Sequence, residues 1–202
     1  LAYALHIHFL SEQFGGKTTI RKTMRNVFIS AIVVVLSTLG ALAQATDNVT
    51  VNIKLQPIHT LVVNSGQKAV NLVYSTKNHY NEGVSVDQAD HLEVFSTGAF
   101  EIRVKTDGDF KSGSEAVEAS SVKVTSSAGT SKALTGSPTY SAINLSNVDQ
   151  ALVKSATGGR DVKVNINYKG AGTDTYLNKF SKARGASENV YTAQVTYTIV
   201  AD

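Results

Sequence analysis

The stretch Asn48-Val49-Thr50-Val51-Asn52-Ile53-Lys54-Leu55 alternates without a break, with Val49, Val51, Ile53 and Leu55 on one face and Asn48, Thr50, Asn52 and Lys54 on the other. Successive side chains point to opposite sides in an extended chain, so this period of two predicts a strand with one apolar face. Pro57 has no amide hydrogen for a ladder and is expected to interrupt the strand before a second short one from His59 to Val63.

The same period recurs along the rest of the chain. Val70, Leu72 and Tyr74 form one set, Leu92 and Val94 another, and Val122 and Val124 flank Lys123. Phe100, Ile102 and Val104 oppose Glu101, Arg103 and Lys105, and Val162, Val164, Ile166 and Tyr168 oppose Lys163, Asn165 and Asn167. The last predicted strand sets Tyr191, Ala193, Val195, Tyr197 and Ile199 against Thr192, Gln194, Thr196 and Thr198. Turn residues separate these runs at Asn64-Ser65-Gly66, Asp107-Gly108-Asp109, Lys111-Ser112-Gly113, Ser127-Ala128-Gly129 and Gly158-Gly159. No long helical period follows residue 45; Tyr176 to Ala183 offers one or two turns at most. Strands with one apolar and one polar face pair into antiparallel sheets packed face to face, which predicts an all-β fold, an antiparallel β-sandwich. Lys111 to Gly136, rich in Ser, Gly, Ala and Thr, reads as a long surface excursion from it.

Composition narrows the function. The 202 residues contain no cysteine and no tryptophan, which excludes disulfides, thiolate metal sites and thiol catalysis. The net charge of +3 is concentrated at the start: Lys17, Arg21, Lys22 and Arg25 stand against Glu12 in the first 45 residues, and everything beyond is formally neutral. Nucleic acid and acidic membrane need a surplus of cations on one face, so neither is expected as a partner.

Met24-Arg25, the mostly apolar run Val27 to Leu39 and the small residues Ala43-Gln44-Ala45 make up the charged region, apolar helix and cleavage site of a secretory signal peptide. The apolar run is shorter than the roughly 20 residues a bilayer requires. Residues 1–23 precede the only methionine and are read as an upstream extension. The expected organisation is thus a leader over 24–45 cut between Ala45 and Thr46, an N-terminal strand segment over 46–57, and a sandwich domain over 58–202.

Signals for catalysis are sparse. His59, His79 and His91 have no histidine partner at i+4 and belong to no H-E-x-x-H pattern. Asp107-Gly108-Asp109 lacks the further acidic positions of a calcium loop and is read as a hairpin tip. Gly15-Gly16-Lys17-Thr18 lacks the first glycine of a phosphate loop, since position 11 is Ser11, and no G-x-S-x-G elbow occurs. No enzymatic activity, cofactor or metal is expected. Tyr74, Tyr168, Tyr191 and Tyr197 share the aliphatic faces of their strands and belong in the core, which leaves Tyr80, Tyr140 and Tyr176, in expected loops, as candidates for stacking on a sugar.

Two short regions carry a family resemblance. Asn48-Val49-Thr50-Val51, Pro57-Ile58, Leu61, Gly66 and Ala69-Val70-Asn71-Leu72-Val73-Tyr74-Ser75 resemble the start of mature chaperone-usher pilins of the alternate, colonisation-factor type, and Tyr191 to Thr198 resembles their closing strand. The resemblance implies an Ig-like sandwich that polymerises by inserting its N-terminal strand into the next subunit. Val49, Val51, Ile53 and Leu55 would then be the donor strand, and Tyr191, Ala193, Val195, Tyr197 and Ile199 the edge of the acceptor groove. It further implies self-association head to tail, a periplasmic chaperone, an outer-membrane usher and a place in fimbriae on a Gram-negative surface. The alternative expectation is a self-contained secreted sandwich that binds a cell-wall or surface glycan as a monomer, with residues 48–55 as its own first strand.

Overall fold

A computed structural model of the chain describes residues 45–180 and 187–202. The predicted leader falls outside this range together with Ala43; only Ala45 is described, and it is exposed. The chain divides into two units after Ile53. Of the first, the described residues 45–53 adopt no helix or strand, and Val49, Val51 and Ile53 are exposed. The predicted strand over 48–55 therefore forms no ladder among the described residues. An extended segment lacking both a cross-strand partner and a surface for its apolar face has no means of offsetting its conformational entropy.

The second unit, Lys54–Asp202, holds two main antiparallel sheets, with eleven strands among the described residues. In chain order these are β1 (His59–Val63), β2 (Val84–Ser96), β3 (Phe100–Thr106), β4 (Phe110–Ser112), β5 (Glu115–Val117), β6 (Val122–Ala128), β7 (Thr139–Tyr140), β8 (Ala142–Asn144), β9 (Gln150–Ser155), β10 (Gly159–Gly170) and β11 (Val195–Ala201). The first sheet runs β1-β2-β10-β6-β8, the second β11-β3-β9-β7, and β4 pairs with β5 in a small separate hairpin. One core joins the sheets: Leu92 and Val94 of β2, Val164 and Ile166 of β10 and Val124 of β6 pack with Phe100, Ile102 and Val104 of β3 and Leu152 and Val153 of β9. All lie at inward positions of their strands and are almost completely buried.

Two irregularities place side chains that strict alternation would leave outside. The β3–β9 register jumps from Ile102 opposite Val153 to Arg103 opposite Ala151, so Leu152 is an extra residue and both Leu152 and Val153 are buried. In β2 the register moves from Leu92 opposite Val164 to Gln88 opposite Ile166, leaving residues 89–91 across from the single Asn165. Asp90 takes the left-handed conformation there, at φ 51°. Its amide donates to Asn165 Oδ1 at 2.7 Å, and its carboxylate accepts the Thr130 amide, also at 2.7 Å. The bulge turns His91 into the core, where it is 2% exposed.

Several expectations are corrected. Val70, Leu72 and Tyr74 alternate inward as predicted, but their segment joins no ladder and they are only half-buried. A short helix, α1 (Lys77–Glu82), follows: Thr76 caps its start by accepting the His79 amide, and Gly83 ends it at φ 84°. A side chain at Gly83 would collide with the Gly170 carbonyl, so that position requires glycine twice over. Asp107-Gly108-Asp109 is a corner and not a hairpin tip, because β3 pairs with β11 and β9 while β4 pairs with β5. Asp107 Oδ1 accepts the Gln194 amide and Asp109 Oδ1 the Ala119 amide, both at 2.9 Å, which satisfies donors where the chain leaves the sheet. The run Lys111 to Gly136 is no surface excursion: it contains β6, which lies between β10 and β8 with Val122 and Val124 buried. Of the stretch Tyr176 to Ala183, residues 176–178 form a turn and 179–180 no helix, and 181–183 lie outside the described residues. Among the described residues no helix is long and apolar enough to cross a membrane.

Truncation of Phe100 to Ala removes a fully buried ring and is expected to cost about 3–5 kcal/mol. Val51→Ala, at a position that is 79% exposed, is expected to change stability by less than about 0.5 kcal/mol. Urea unfolding of the two variants against the parent chain checks the contrast.

Candidate functional site

The four outermost strands differ in how well they are protected. β7 and β8, at one end of each sheet, are only two and three residues long. β11, at the opposite end of the second sheet, runs for seven residues with the sequence V-T-Y-T-I-V-A. It holds no charge, proline or glycine, the devices that ordinarily blunt an exposed edge. β1, the edge of the first sheet, is likewise uncharged, reading H-T-L-V-V, and lies beside β11. Both edges therefore lie on the same side of the domain.

The inner face of β11 continues the apolar row of β3. Val195, Tyr197 and Ile199 stand opposite Thr106, Val104 and Ile102. On β3 the row is sealed, with Val104 and Ile102 at 0% exposure, whereas on β11 Val195, Tyr197 and Ile199 are half-buried. Tyr191 and Ala193, just upstream, keep the same parity and are also half-buried. Across this side Leu61 and Val63 of β1 and Val70 and Leu72 of the ladderless segment are half-buried and packed on the core. The result is a strip of partly buried apolar side chains beside the backbone of β11. Only β3 pairs with that backbone among the described residues.

The five residues Tyr191, Ala193, Val195, Tyr197 and Ile199 thus share one face. Tyr191 is also tied by its hydroxyl, which donates to the Lys179 carbonyl at 2.5 Å. Val49, Val51, Ile53 and Leu55 are all exposed, from 79% at Val51 to 89% at Leu55.

A polar chain that sequence reading missed lies behind the strip. His91 Nδ1 is 2.9 Å from Gln67 Oε1, and its Nε2 is 3.0 Å from the Tyr168 hydroxyl, which in turn meets the Tyr197 hydroxyl at 2.5 Å. Gln67 Nε2 donates to the Ala89 carbonyl at 3.0 Å, which orients the amide so that its oxygen faces His91. The chain therefore runs from the 3-10 turn Ser65–Gln67 after β1, through β2 and β10, to β11. Burial pushes the Tyr168 hydroxyl up to about 12 and raises Tyr197 further, while the same loss of solvent lowers His91. Tyr168 and Tyr197 pack edge-on to the imidazole.

The three tyrosines expected to stack on sugars are otherwise engaged. Tyr80 lies in α1 and Tyr176 in a turn, and both rings meet Tyr74 edge-on, at 5.4 Å and 4.8 Å between centroids. The Tyr176 hydroxyl donates to Ser121 Oγ at 2.9 Å. Tyr140 is a half-buried strand residue of β7 packed on the core. None is a loop platform, because each is drawn into packing by aromatic area worth more buried than exposed. His59 bonds Ser96 Oγ and His79 bonds the Ser75 amide. Among the described residues no group of three or more His, Asp or Glu side chains is placed to hold a metal ion.

No protein-family model matches the chain, and no curated protein matches it significantly in sequence.

Removing the Tyr168 hydroxyl leaves His91 Nε2 buried without a donor and strips Tyr197 of its acceptor. Tyr168→Phe is expected to lose about 1–3 kcal/mol. Tyr197→Phe, which leaves the Tyr168–His91 bond in place, is expected to lose about 0.5–1.5 kcal/mol. Chemical denaturation at neutral pH orders the two.

Proposed function

We propose that the chain is a structural subunit of a surface fimbria, polymerising as the N-terminal segment of one copy adds as a strand beside β11 of the next. One observation carries this reading: Val49, Val51, Ile53 and Leu55 stand exposed at strand spacing, while Val195, Tyr197 and Ile199 form a partly buried apolar row on an edge strand that has no charge to guard it and that only β3 pairs among the described residues. The two halves are complementary in chemistry and in their period of two. The inserted backbone supplies the missing ladder and its side chains cover the strip. Burying the four side chains contributes up to about 6–12 kcal/mol before the cost of ordering the segment.

A strand given by one copy and taken by the next is a heterologous contact, which repeats without closing and builds a fibre. Under this reading the sandwich is Ig-like, with the strand position beside β11 filled by the neighbour. Residues 24–45 direct export, and a chaperone that covers the same edge before assembly, together with an outer-membrane usher, belong to the same picture on a Gram-negative surface. Catalysis plays no part. A monomeric glycan-binding domain is the competing outcome, and it draws no support from Tyr80, Tyr140 or Tyr176.

Deletion of residues 46–56 is expected to leave the thermal midpoint within a few degrees of the parent chain, roughly the effect of less than 1 kcal/mol, and to abolish polymers in size-exclusion chromatography. Ile53→Asp is expected to do the same, because a carboxylate has no partner in an apolar strip. Loss of folding on deletion, or polymers that survive Ile53→Asp, would sink the proposal.

A further inference from the structure

The hydrogen bonds of the His91 chain have a fixed direction. Gln67 turns its amide oxygen to His91, so Nδ1 carries the imidazole hydrogen and Nε2 is the acceptor. The Tyr168 hydroxyl must then donate to Nε2, and its oxygen accepts from the Tyr197 hydroxyl. Every hydrogen in the chain finds an acceptor only while His91 is neutral. A second proton, on Nε2, would force Tyr168 to turn its own hydrogen toward Tyr197, whose hydroxyl then loses its acceptor. The new charge would lie at a side chain that is 2% exposed.

Nothing nearby compensates for that charge. The groups facing the ring are Gln67 from the turn after β1, Tyr168 from β10 and Tyr197 from β11. Burial lowers the His91 pKa, and its bonded partners among the described residues, Gln67 and Tyr168, are uncharged. On β2 itself Glu93 pairs with Lys163, and Asp90 is held by the Thr130 and Ser131 amides. With both tyrosines raised by burial, His91, though itself lowered, is the one of these side chains that acid can charge.

We propose that this chain is an acid-sensitive latch on the strand-accepting edge: neutral His91 ties β11 to β10, β2 and the turn after β1, and its protonation releases β11. The regulatory meaning rests on the acceptor reading above; the latch itself does not. The sign follows from burial. A folded-state value below the ordinary 6.5 means that the open state binds the proton more readily. The stability held in the latch is complete above about pH 6.5 and is lost as the pH falls below it.

Amide hydrogen exchange on the purified full-length chain, corrected for intrinsic rates, tests the latch between pH 7.5 and 5.0. The opening constants of the β11 amides are expected to rise by up to about tenfold per pH unit below about 6.5, while those of β6 and β8 stay level. In Tyr197→Phe, which cuts β11 out of the chain, the extra response of β11 should vanish. A flat response at β11, or an equal rise in β6 and β8, overturns the latch. A peptide of residues 46–57, titrated onto the Ile53→Asp chain, tests the regulatory meaning separately. It should bind at least about tenfold more weakly at pH 5.0 than at pH 7.5. Equal binding at both pH values overturns the regulatory role, and no binding at pH 7.5 overturns the acceptor reading, leaving the exchange data to decide the latch.

Discussion

Burial of apolar area between two sheets requires each strand to be covered from the opposite sheet and flanked within its own. β3 meets both conditions: it lies between β11 and β9, and Phe100, Ile102 and Val104 are sealed. β11 meets only the first, with Val195, Tyr197 and Ile199 partly buried and one backbone edge unpaired among the described residues. Seven uncharged residues at such an edge form a template for another strand, and natural sheets usually guard against that. The short β7 and β8 at the other side of the domain are protected by brevity alone. The asymmetry between the two sides gives the functional reading its direction.

The bulges show how local departures from alternation build features that regular strands cannot. The extra residue Leu152 thickens the core under β9, and the bulge at 89–91 turns a histidine inward. Asn165 and Asp90 hold that second bulge by accepting amides that would otherwise lack partners. A buried imidazole linked through Tyr168 to an edge strand couples the ordering of β11 to the interior of the other sheet. Packing alone would tolerate an apolar residue there; the polar chain adds direction and a dependence on proton activity.

Much of the sandwich was legible in the chain. Phe100, Ile102 and Val104, and Val162, Val164, Ile166 and Tyr168, alternate without error and are buried as read. Tyr191 to Ile199 likewise alternate in burial, although the strand itself begins only at Val195 and Thr192 makes an isolated bridge to Lys111. Periodicity reports which side chains share a face, but not whether a ladder partner exists, which is why Asn48 to Leu55 and Val70 to Tyr74 read as strands yet pair with none among the described residues. It also fails at bulges: His91 has the parity of an exposed residue and the burial of a core one, and only the register against Asn165 accounts for it. Lys111 to Gly136 misled through composition, since the second half of β6 is Thr-Ser-Ser-Ala and its hydroxyls face outward or bond backbone, as Ser126 Oγ does to the Leu152 carbonyl. Of the tyrosines expected in loops, Tyr80 falls in α1 and Tyr140 in β7, while Tyr176 lies in a turn as read but packs on Tyr74, a meeting made only through the fold.

The central claim is that copies of this chain are joined by exchanged strands and by nothing covalent. Material sheared from the surface of cells that make the chain, separated by SDS electrophoresis with and without boiling and probed for it, tests that claim most directly. The account predicts a ladder of multimers without boiling that collapses to a single monomer band on boiling, because the chain contains no cysteine to link copies and the ladder and apolar strip yield to heat. A single monomer band in both lanes would contradict it.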